Sequence, residues 1–195
     1  NAGWADYYGN EDFFNAYPND DRKEWNYMTE WKIKSGEIIP YTESADKLPA
    51  IPKYYDYDEG APGKSAQSNG ITCIYRYAEV LLMYAEASTR ATNSVNQDAL
   101  NAIQEVQKRA GYQDRQIELT TTTEPTAFLA AVSNERGWEF FAEMKRWFEL
   151  VRLEKVKEVR AEEWDASTFN TNHHYYFPVP YQQVDLAGWT NNAGY

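Results

Sequence analysis

The chain is predicted to be a mostly α-helical protein whose helices are covered by long aromatic-rich loops and short strands. Two observations predict this fold class. Residues 74–151 repeat apolar side chains at helical spacing, whereas residues 1–70 have no sustained period and are rich in Tyr, Trp, Asn, Asp, Gly and Pro. The length of 195 residues fits one domain. We divide it into a loop-rich region 1–70, a helical region 71–163 and a loop-and-strand region 164–195.

The first predicted helix runs near Thr72–Thr92. Its apolar side chains recur at helical spacing and form one stripe, made of Ile74, Tyr77, Ala78, Leu81, Leu82 and Ala85. We therefore expect Leu81 to lie in the core, so that Leu81→Ala costs about 2–5 kcal/mol. Cys73, which comes just before this helix, is expected to be buried and structural rather than reactive.

Two further helices are predicted downstream. Ser94 with Gln97 three residues later indicates a capping box for a second helix, which ends near Ala110 before the stop signal Gly111. Its inward side chains are expected to be Ala99, Ile103, Val106 and Ala110. The first and second helices would form a hairpin of the kind found in TPR repeats.

The third predicted helix begins with Pro125 at its first position. Its inner side is marked by Phe128, Leu129, Val132, Arg136 and Phe140. The helical pattern continues through Met144, Trp147, Phe148 and Val151, with a kink near Glu143–Lys145, and so indicates one long helix. A short surface helix is expected at Lys155–Trp164.

Outside the helices, the sequence predicts strands and loops. Short strands are expected at Tyr27–Ile33, Lys53–Tyr57 and Tyr175–Val179. The stretch Glu59–Gly70 has the composition of a flexible loop.

The composition excludes several classes of function. A formal net charge of −11 repels nucleic acid, and no basic stripe offsets it. The same charge argues against acidic polysaccharides as general ligands, although a local basic patch would reverse that. No apolar run is long enough to span a membrane. Cys73 is the only cysteine, and no phosphate-binding loop, nucleophile elbow or zinc spacing is present, so no cofactor is predicted.

Three carboxylates, Glu135, Glu139 and Glu143, recur every four residues and share one face of the third helix. A metal or acid–base site is one interpretation, but no Glu-x-x-His pair accompanies it. The other is a buried ion-pair network with nearby cations, and the candidates are Arg136, Lys145, Arg146 and Arg152. We predict the network. Neighbours in a strand face opposite sides, so the adjacent His173 and His174 are poorly placed to bind a metal together. Both are expected to be ordinary surface residues.

Aromatic side chains in residues 1–57 are the strongest ligand signal. Flat rings beside amides and acids suit the apolar face of a sugar. We predict a platform of Trp4, Tyr7 and Tyr8, with hydrogen bonds from Asp6, Asn10 or Asp12. The other aromatic residues, Phe13, Phe14, Tyr17, Trp25 and Trp31, are expected to pack beneath the loops. The alternative is that all of these rings form the core of a loop-rich domain.

Seven segments resemble the SusD/RagB family in order and spacing: Tyr17–Arg22, Arg76–Ala87 (R-Y-A-E-V-L-L-M-Y-A-E-A), Gln107–Tyr112, Glu135–Phe140, Lys145–Arg152, Tyr176–Pro180 and Asn192–Tyr195. This chain departs from the family pattern in four places: Gly137 stands at a usual Arg, Met144 at a usual Gly, Glu149 at a usual Asp and Ala193 at a usual Pro. Within the segments we expect structural rather than ligand-binding roles for Arg76, Glu79, Glu86, Arg109, Glu135, Arg136, Glu139, Arg146 and Arg152.

The resemblance implies a SusD-like fold and a non-catalytic function. A protein of this family would bind oligosaccharide at the bacterial outer membrane and pass it to a SusC-like TonB-dependent transporter. Family members are longer and carry a lipid-bearing cysteine, so the chain would correspond to their C-terminal portion, without the N-terminal TPR part. Two alternatives stay open: a protein-interaction module without sugar contact, and a fragment of a glycoside hydrolase.

Overall fold

The computed structural model describes residues 8–54, 71, 73–159 and 170–195. The chain forms two compact units, residues 1–143 and residues 144–195. Within the described residues, most regular structure is helical, as the sequence predicts, and the one sheet has two short strands.

The first unit is organised around a helical hairpin. Helix α3 (Tyr77–Thr92) and helix α4 (Gln97–Arg109) pack against each other and are joined by a short turn. The turn contains Asn93, whose φ of 48° lies in the left-handed region that Asn tolerates well. Helix α5 (Pro125–Glu139) packs on the hairpin, mainly against α3. Glu124 caps α5 by accepting from two backbone N–H groups, and Pro125 occupies the first turn as predicted.

The apolar core lies between these three helices. It consists of Ala78, Leu82, Ala85, Ala99, Leu100, Ala102, Ile103, Val106, Phe128, Val132 and Phe140. Small side chains on α3 and α4 let the two backbones approach closely. Leu81, Val95 and Ala131 pack at its edge and are partly buried.

The loop layer, which we define as residues 8–54, belongs to the same unit. It contains two short helices, α1 (Glu11–Ala16) and α2 (Asp21–Asn26), capped by Asn10 and Asp20. It also contains strands β1 (Glu30–Lys32) and β2 (Ile38–Pro40), which pair antiparallel with Trp31 opposite Ile39. A 3₁₀ turn at Tyr41–Glu43 follows β2.

The second unit contains helices α6 (Arg146–Arg152), α7 (Val156–Val159), α8 (Thr171–His174) and α9 (Tyr181–Ala187). Its last residues fold back on α8. Tyr195 stacks on the ring of His173 at 4.1 Å, and its hydroxyl donates to the backbone oxygen of Tyr176 at 3.0 Å. His173 Nδ1 lies 2.9 Å from the Gly194 carbonyl oxygen, which only accepts, so this nitrogen carries the proton. A side chain at position 194 would collide with His173, which explains the glycine.

The structure corrects the prediction for the first helix. It begins at Tyr77, because Arg76 is extended and its side chain binds Glu139 at the end of α5 and Glu143 just after it. Ile74 and Tyr77 are therefore exposed, at 74% and 68%. The inner face is Ala78, Leu82 and Ala85, and Leu81 is partly buried beside it. Cys73 is exposed rather than buried, since it precedes the helix.

Other corrections concern the ends of elements. Asn96, not Ser94, caps α4 by accepting from the Ala99 N–H. The predicted long third helix ends at Glu139, and a turn separates it from α6. The predicted strand Tyr175–Val179 is not formed. Of the predicted strand Lys53–Tyr57, Lys53 and Tyr54 lie in a turn and Tyr55–Tyr57 fall outside the described residues. The Tyr27–Ile33 strand shortens to β1.

The predicted end and inner face of α4 are confirmed, and two other predicted segments lie partly or wholly outside the described residues. Gly111 has the positive φ of a helix stop, at 83°. The four predicted inward residues of α4 are all buried. Of the predicted surface helix Lys155–Trp164, residues 156–159 are helical and residues 160–164 lie outside the described part. So does the predicted loop Glu59–Gly70.

Candidate functional site

Only Tyr8 of the predicted ligand platform belongs to the loop layer. Trp4, Asp6 and Tyr7 fall outside the described residues, so the structure does not place them. Tyr8 is partly exposed, and its hydroxyl donates to Asp46 Oδ2 at 2.7 Å. This hydrogen bond raises the pKa of Tyr8 above its ordinary value. The Tyr8 hydroxyl and the Asp46 carboxylate thus lie side by side as a hydrogen-bonded polar pair.

The backbone next to Tyr8 is fixed by close packing. The Gly9 N–H donates to the Pro49 carbonyl oxygen at 2.8 Å, and a Cβ at Gly9 would meet the Tyr27 ring at 2.5 Å. Asn10 Oδ1 accepts from the Phe13 N–H at 2.9 Å and so caps α1. This part of Asn10 is engaged in the fold, and Asp12 is exposed in the first turn of α1.

An aromatic cluster joins the loop layer to the segment after α5. Tyr27 packs on Phe141 with ring centroids 4.6 Å apart, and Phe13 stacks on Phe141 at 5.9 Å. Tyr17 meets Tyr27 edge to face at 5.6 Å. Burial raises the pKa of Tyr17 and of Tyr27, so both phenols stay neutral. The prediction that aromatic residues pack beneath the loops is confirmed for Tyr17, which is buried. It is wrong for Trp25, which is 69% exposed on α2.

A second set of contacts, which we call the charge network, ties the loop layer to the helices. It consists of four acids and four bases: Asp20, Glu135, Glu139 and Glu143 with Arg22, Lys53, Arg76 and Arg109. The formal charges cancel, as buried charges require. The acids are the most deeply buried members, with at most 6% of each side chain exposed.

Arg22 is the centre of the charge network. Its Nη2 lies 2.6 Å from Asp20 Oδ2, and its Nη1 lies 2.6 Å from Glu135 Oε1 and 2.9 Å from Glu139 Oε2. Burial disfavours the charge on Arg22, but Glu135 and Asp20 outweigh it and raise the pKa of Arg22. One loop-layer guanidinium thus holds two consecutive turns of α5.

The acids on α5 and in the turn after it differ in their surroundings. Burial raises the pKa of Glu135, although Arg22, Gln107 and Tyr112 hydrogen-bond to its carboxylate and oppose the rise. At Glu143 burial also acts to raise the pKa, but hydrogen bonds from Arg76 and Lys53 outweigh it and lower the pKa. Glu139 pairs with Arg22, Arg76 and Arg109.

The carbonyl groups at the C-terminal end of α5 are also capped by side chains from elsewhere in the chain. Tyr17 Oη donates to the Trp138 oxygen at 2.6 Å and Arg76 Nη2 to the Glu139 oxygen at 2.9 Å. Lys53 Nζ and Tyr54 Oη donate to the Phe141 and Ala142 oxygens, at 2.8 and 3.1 Å. These bonds pair side-chain donors with carbonyls at the end of α5 and in the turn that follows it.

The structure corrects which cations serve the acids of α5. Arg136 lies on the same helix but faces Glu79 of α3, at 3.7 Å. Arg146 pairs with Glu149 inside the second unit, at 3.2 Å, and Arg152 is exposed at the end of α6. Glu86 pairs with Arg90 along α3 at 2.8 Å. Two of the cations that do pair with these acids, Arg22 and Arg76, lie in segments that resemble the family pattern, so the sequence could have indicated them. Nothing in the sequence singled out Lys53.

The described residues offer no metal site. No three His, Cys, Asp or Glu side chains among them come together in a way that could hold an ion. His173 and His174 lie in a helical turn rather than a strand, with ring centroids 4.8 Å apart, and both are partly buried. In the described part of the chain no helix has the length and apolar character needed to cross a membrane.

The fold combines a TPR-like helical hairpin with an aromatic loop layer, and a buried charge network joins the two. The model of the SusD family, SusD/RagB, matches residues 1–195. The chain belongs to this family.

Individual relatives agree with the family assignment. The chain is 29% identical over 177 residues to SusD-like protein P2 of Formosa agariphila, a match that covers 83% of this chain and 34% of that protein. It resembles a SusD superfamily protein from Parabacteroides distasonis with a TM-score of 0.73 and 25% identity, over 96% of this chain and 42% of the other. It also resembles surface glycan-binding protein A from Bacteroides uniformis, with a TM-score of 0.64 and 26% identity, over 94% and 40%. The chain therefore spans well under half the length of these relatives.

Proposed function

We propose that the protein is a non-catalytic glycan-binding protein of the bacterial outer surface. The observation that carries this proposal is the family match over the whole chain, together with the similarity to a protein named for surface glycan binding. The attachment would be a lipid anchor on the outer membrane. The bound oligosaccharide would pass to a SusC-like TonB-dependent transporter.

We place the sugar contact at Trp4, Tyr7 and Tyr8, with Asp6 and Asn10 as polar neighbours. The geometry of the described part supports this choice. Tyr8 is partly exposed beside Asp46, and the Gly9 backbone next to it is packed against Tyr27. A side chain whose neighbouring backbone is closely packed, as that of Tyr8 is, loses little conformational entropy on binding. Aromatic faces accept the C–H faces of many sugars, so they would set affinity, while the acids and amides would set orientation.

The experiment is binding of a panel of soluble polysaccharides, measured by affinity electrophoresis and calorimetry on the protein as its host makes it. Trp4→Ala should weaken binding about 5- to 150-fold, the equivalent of about 1–3 kcal/mol. Trp25→Ala is the matched control, because Trp25 is an exposed tryptophan on α2 that is not among the proposed sugar contacts. It should leave the affinity unchanged.

Two results would contradict the proposal. If no glycan binds, the interaction-module alternative becomes the better account. If binding survives Trp4→Ala unchanged, the sugar site lies elsewhere. Product release should also be followed by chromatography after long incubation with each glycan. We expect none, and release of oligosaccharides would favour the hydrolase alternative.

A further inference from the structure

Tyr8 and Asp46 form a polar pair at the surface although they are far apart in the sequence. The Tyr8 hydroxyl donates its only proton to Asp46 Oδ2 at 2.7 Å, so the phenol oxygen can only accept from a further partner. The other oxygen of the Asp46 carboxylate has no hydrogen-bond partner among the described residues, and it too can only accept. The pair therefore offers a ligand two oxygen acceptors and no donor.

Backbone contacts, rather than the two side chains, hold this pair in place. The Gly9 N–H donates to the Pro49 carbonyl oxygen at 2.8 Å and so joins the two segments that carry the pair. Asp46 lies in a turn in which the Lys47 N–H donates to Ser44 Oγ at 3.1 Å. Because none of these bonds uses either side chain of the pair, we expect both side chains to be replaceable without loss of the fold.

The charges near Tyr8 in the sequence are negative. Glu11 and Asp12 are exposed in the first turn of α1, and no lysine, arginine or histidine precedes Arg22. Lys47, which follows Asp46, is the nearest cation in the sequence and is also exposed. Salt screens exposed charges beyond about 8 Å at physiological ionic strength. Direct contact with the carboxylate, rather than the long-range field, should therefore decide which ligands bind.

A ligand that contacts two acceptors has to donate two hydrogen bonds. Neighbouring hydroxyl groups of a sugar ring can do so, and hydrogen bonds to an ionised carboxylate are the stronger kind. A carboxylate or sulfate group on the ligand has no proton to donate, and it would bring two negative charges into contact. Such an arrangement selects between ligands by repulsion as well as by attraction.

We propose that Asp46 sets the charge specificity of the sugar site. Together with the Tyr8 oxygen it binds neighbouring hydroxyl groups of uncharged glycans, and it rejects glycans that carry carboxylate or sulfate groups. This inference rests on the glycan-binding function proposed above and adds the class of glycan and the residue that selects it. The two side chains act differently: the Tyr8 oxygen contributes affinity for either class, whereas the charge of Asp46 distinguishes the two classes.

The experiment is calorimetric binding of laminarin, amylose and galactomannan to the protein as its host makes it. Each glycan is used in its neutral form and after oxidation of its primary hydroxyl groups to carboxylates. The parent should bind at least one neutral glycan, and the oxidised form of that glycan about tenfold more weakly or worse. Asp46→Asn keeps the shape and removes the charge, so it should bring the two affinities to within about threefold of each other. Tyr8→Phe should weaken both about 3- to 10-fold and leave their ratio unchanged.

Asp98→Asn is the matched control, because it removes an exposed carboxylate from the first turn of α4 that is not among the proposed sugar contacts. It should leave the ratio of the two affinities unchanged. If it lowers the ratio as much as Asp46→Asn does, net charge excludes acidic glycans and the inference is wrong. Asp46→Ser, which also lacks the charge, repeats the test if Asp46→Asn does not fold.

Two further results separate this inference from the function on which it rests. If the parent binds a neutral glycan but the ratio is unchanged in Asp46→Asn, or the parent binds both forms equally well, the inference is overturned and the glycan-binding function stands. If the parent binds none of the neutral or oxidised glycans, the proposed function fails, and the inference fails with it.

Discussion

The two halves of helix α5 are held by different forces. The first half inserts Phe128 and Val132, both fully buried, between α3 and α4. The second half presents Glu135 and Glu139, which are as deeply buried but bind arginines from three other parts of the chain. Apolar packing accepts any side chain of suitable volume, whereas a buried charge needs a particular partner in a particular place. The second half of α5 should therefore be far less tolerant of a single substitution.

The largest expected effect comes from Arg22→Met. This change leaves Asp20, Glu135 and Glu139 buried without the guanidinium that joins them. Loss of one partner of a buried ion pair costs about 3–5 kcal/mol. Urea unfolding should show that loss. Arg115→Met is the control, because its ion pairs with Asp21 and Glu24 are exposed, and it should cost under about 1 kcal/mol. Equal effects of the two variants would contradict the assignment.

The contribution of apolar packing to stability can be measured on α3, whose inner face lies in the same core. Leu82 is fully buried, so Leu82→Ala should cost about 2–5 kcal/mol. Leu81 lies at the edge of the core, so Leu81→Ala should cost less. Thermal unfolding of the two variants measures the difference. A larger loss for Leu81→Ala would show that the helix is rotated from the orientation described.

The pH dependence separates Glu143 from an exposed acid. Its pKa is lowered in the folded state, so its ion pairs stabilise the protein above the ordinary value of 4.5 and are lost as the pH falls below it. Stability measured between pH 6 and pH 3 should therefore fall less steeply for Glu143→Gln than for the parent. Glu105→Gln, which removes an exposed carboxylate from α4, is measured in parallel as the control. An unchanged slope in Glu143→Gln would contradict the role given to Arg76 and Lys53.

The smallest effect is a stabilisation at the turn after α5. Met144 has a φ of 59°, in the left-handed region, and is 89% exposed. That conformation costs a non-glycine residue about 1–2 kcal/mol. Glycine avoids this cost but loses more backbone entropy on folding, which cancels about half of the gain. Met144→Gly should raise the unfolding free energy by about 0.5–1 kcal/mol. Met83→Gly, in the middle of α3, should lower it by about 1 kcal/mol, and the same sign for both would refute the explanation.

The sequence was informative where a feature depends on local spacing. The spacing of Ala99, Ile103 and Val106 predicts the buried face of α4, and Pro125 predicts the start of α5. The glycine that the SusD/RagB family usually has in place of Met144 now has a physical reason, since the backbone there is left-handed.

The features that sequence reasoning missed depend on distant residues. The helical period alone does not show that α5 ends at Glu139, because that end is capped by Tyr17, Lys53 and Arg76 from far upstream. The same holds for the charge network. The spacing of the acids predicts that cations are needed, but Arg136, on the same helix, faces α3 instead. The outward position of Tyr77 follows from Arg76, which delays the start of α3.

A double-mutant cycle between Arg22 and Glu135 tests most directly the claim that buried ion pairs hold the loop layer on the helices. The unfolding free energies of Arg22→Met, Glu135→Met and the double variant are measured together with that of the parent. Two single losses whose sum exceeds the loss in the double variant by about 2 kcal/mol or more would support it. Losses that add to within about 0.5 kcal/mol would show that the two side chains act independently, and would contradict the claim.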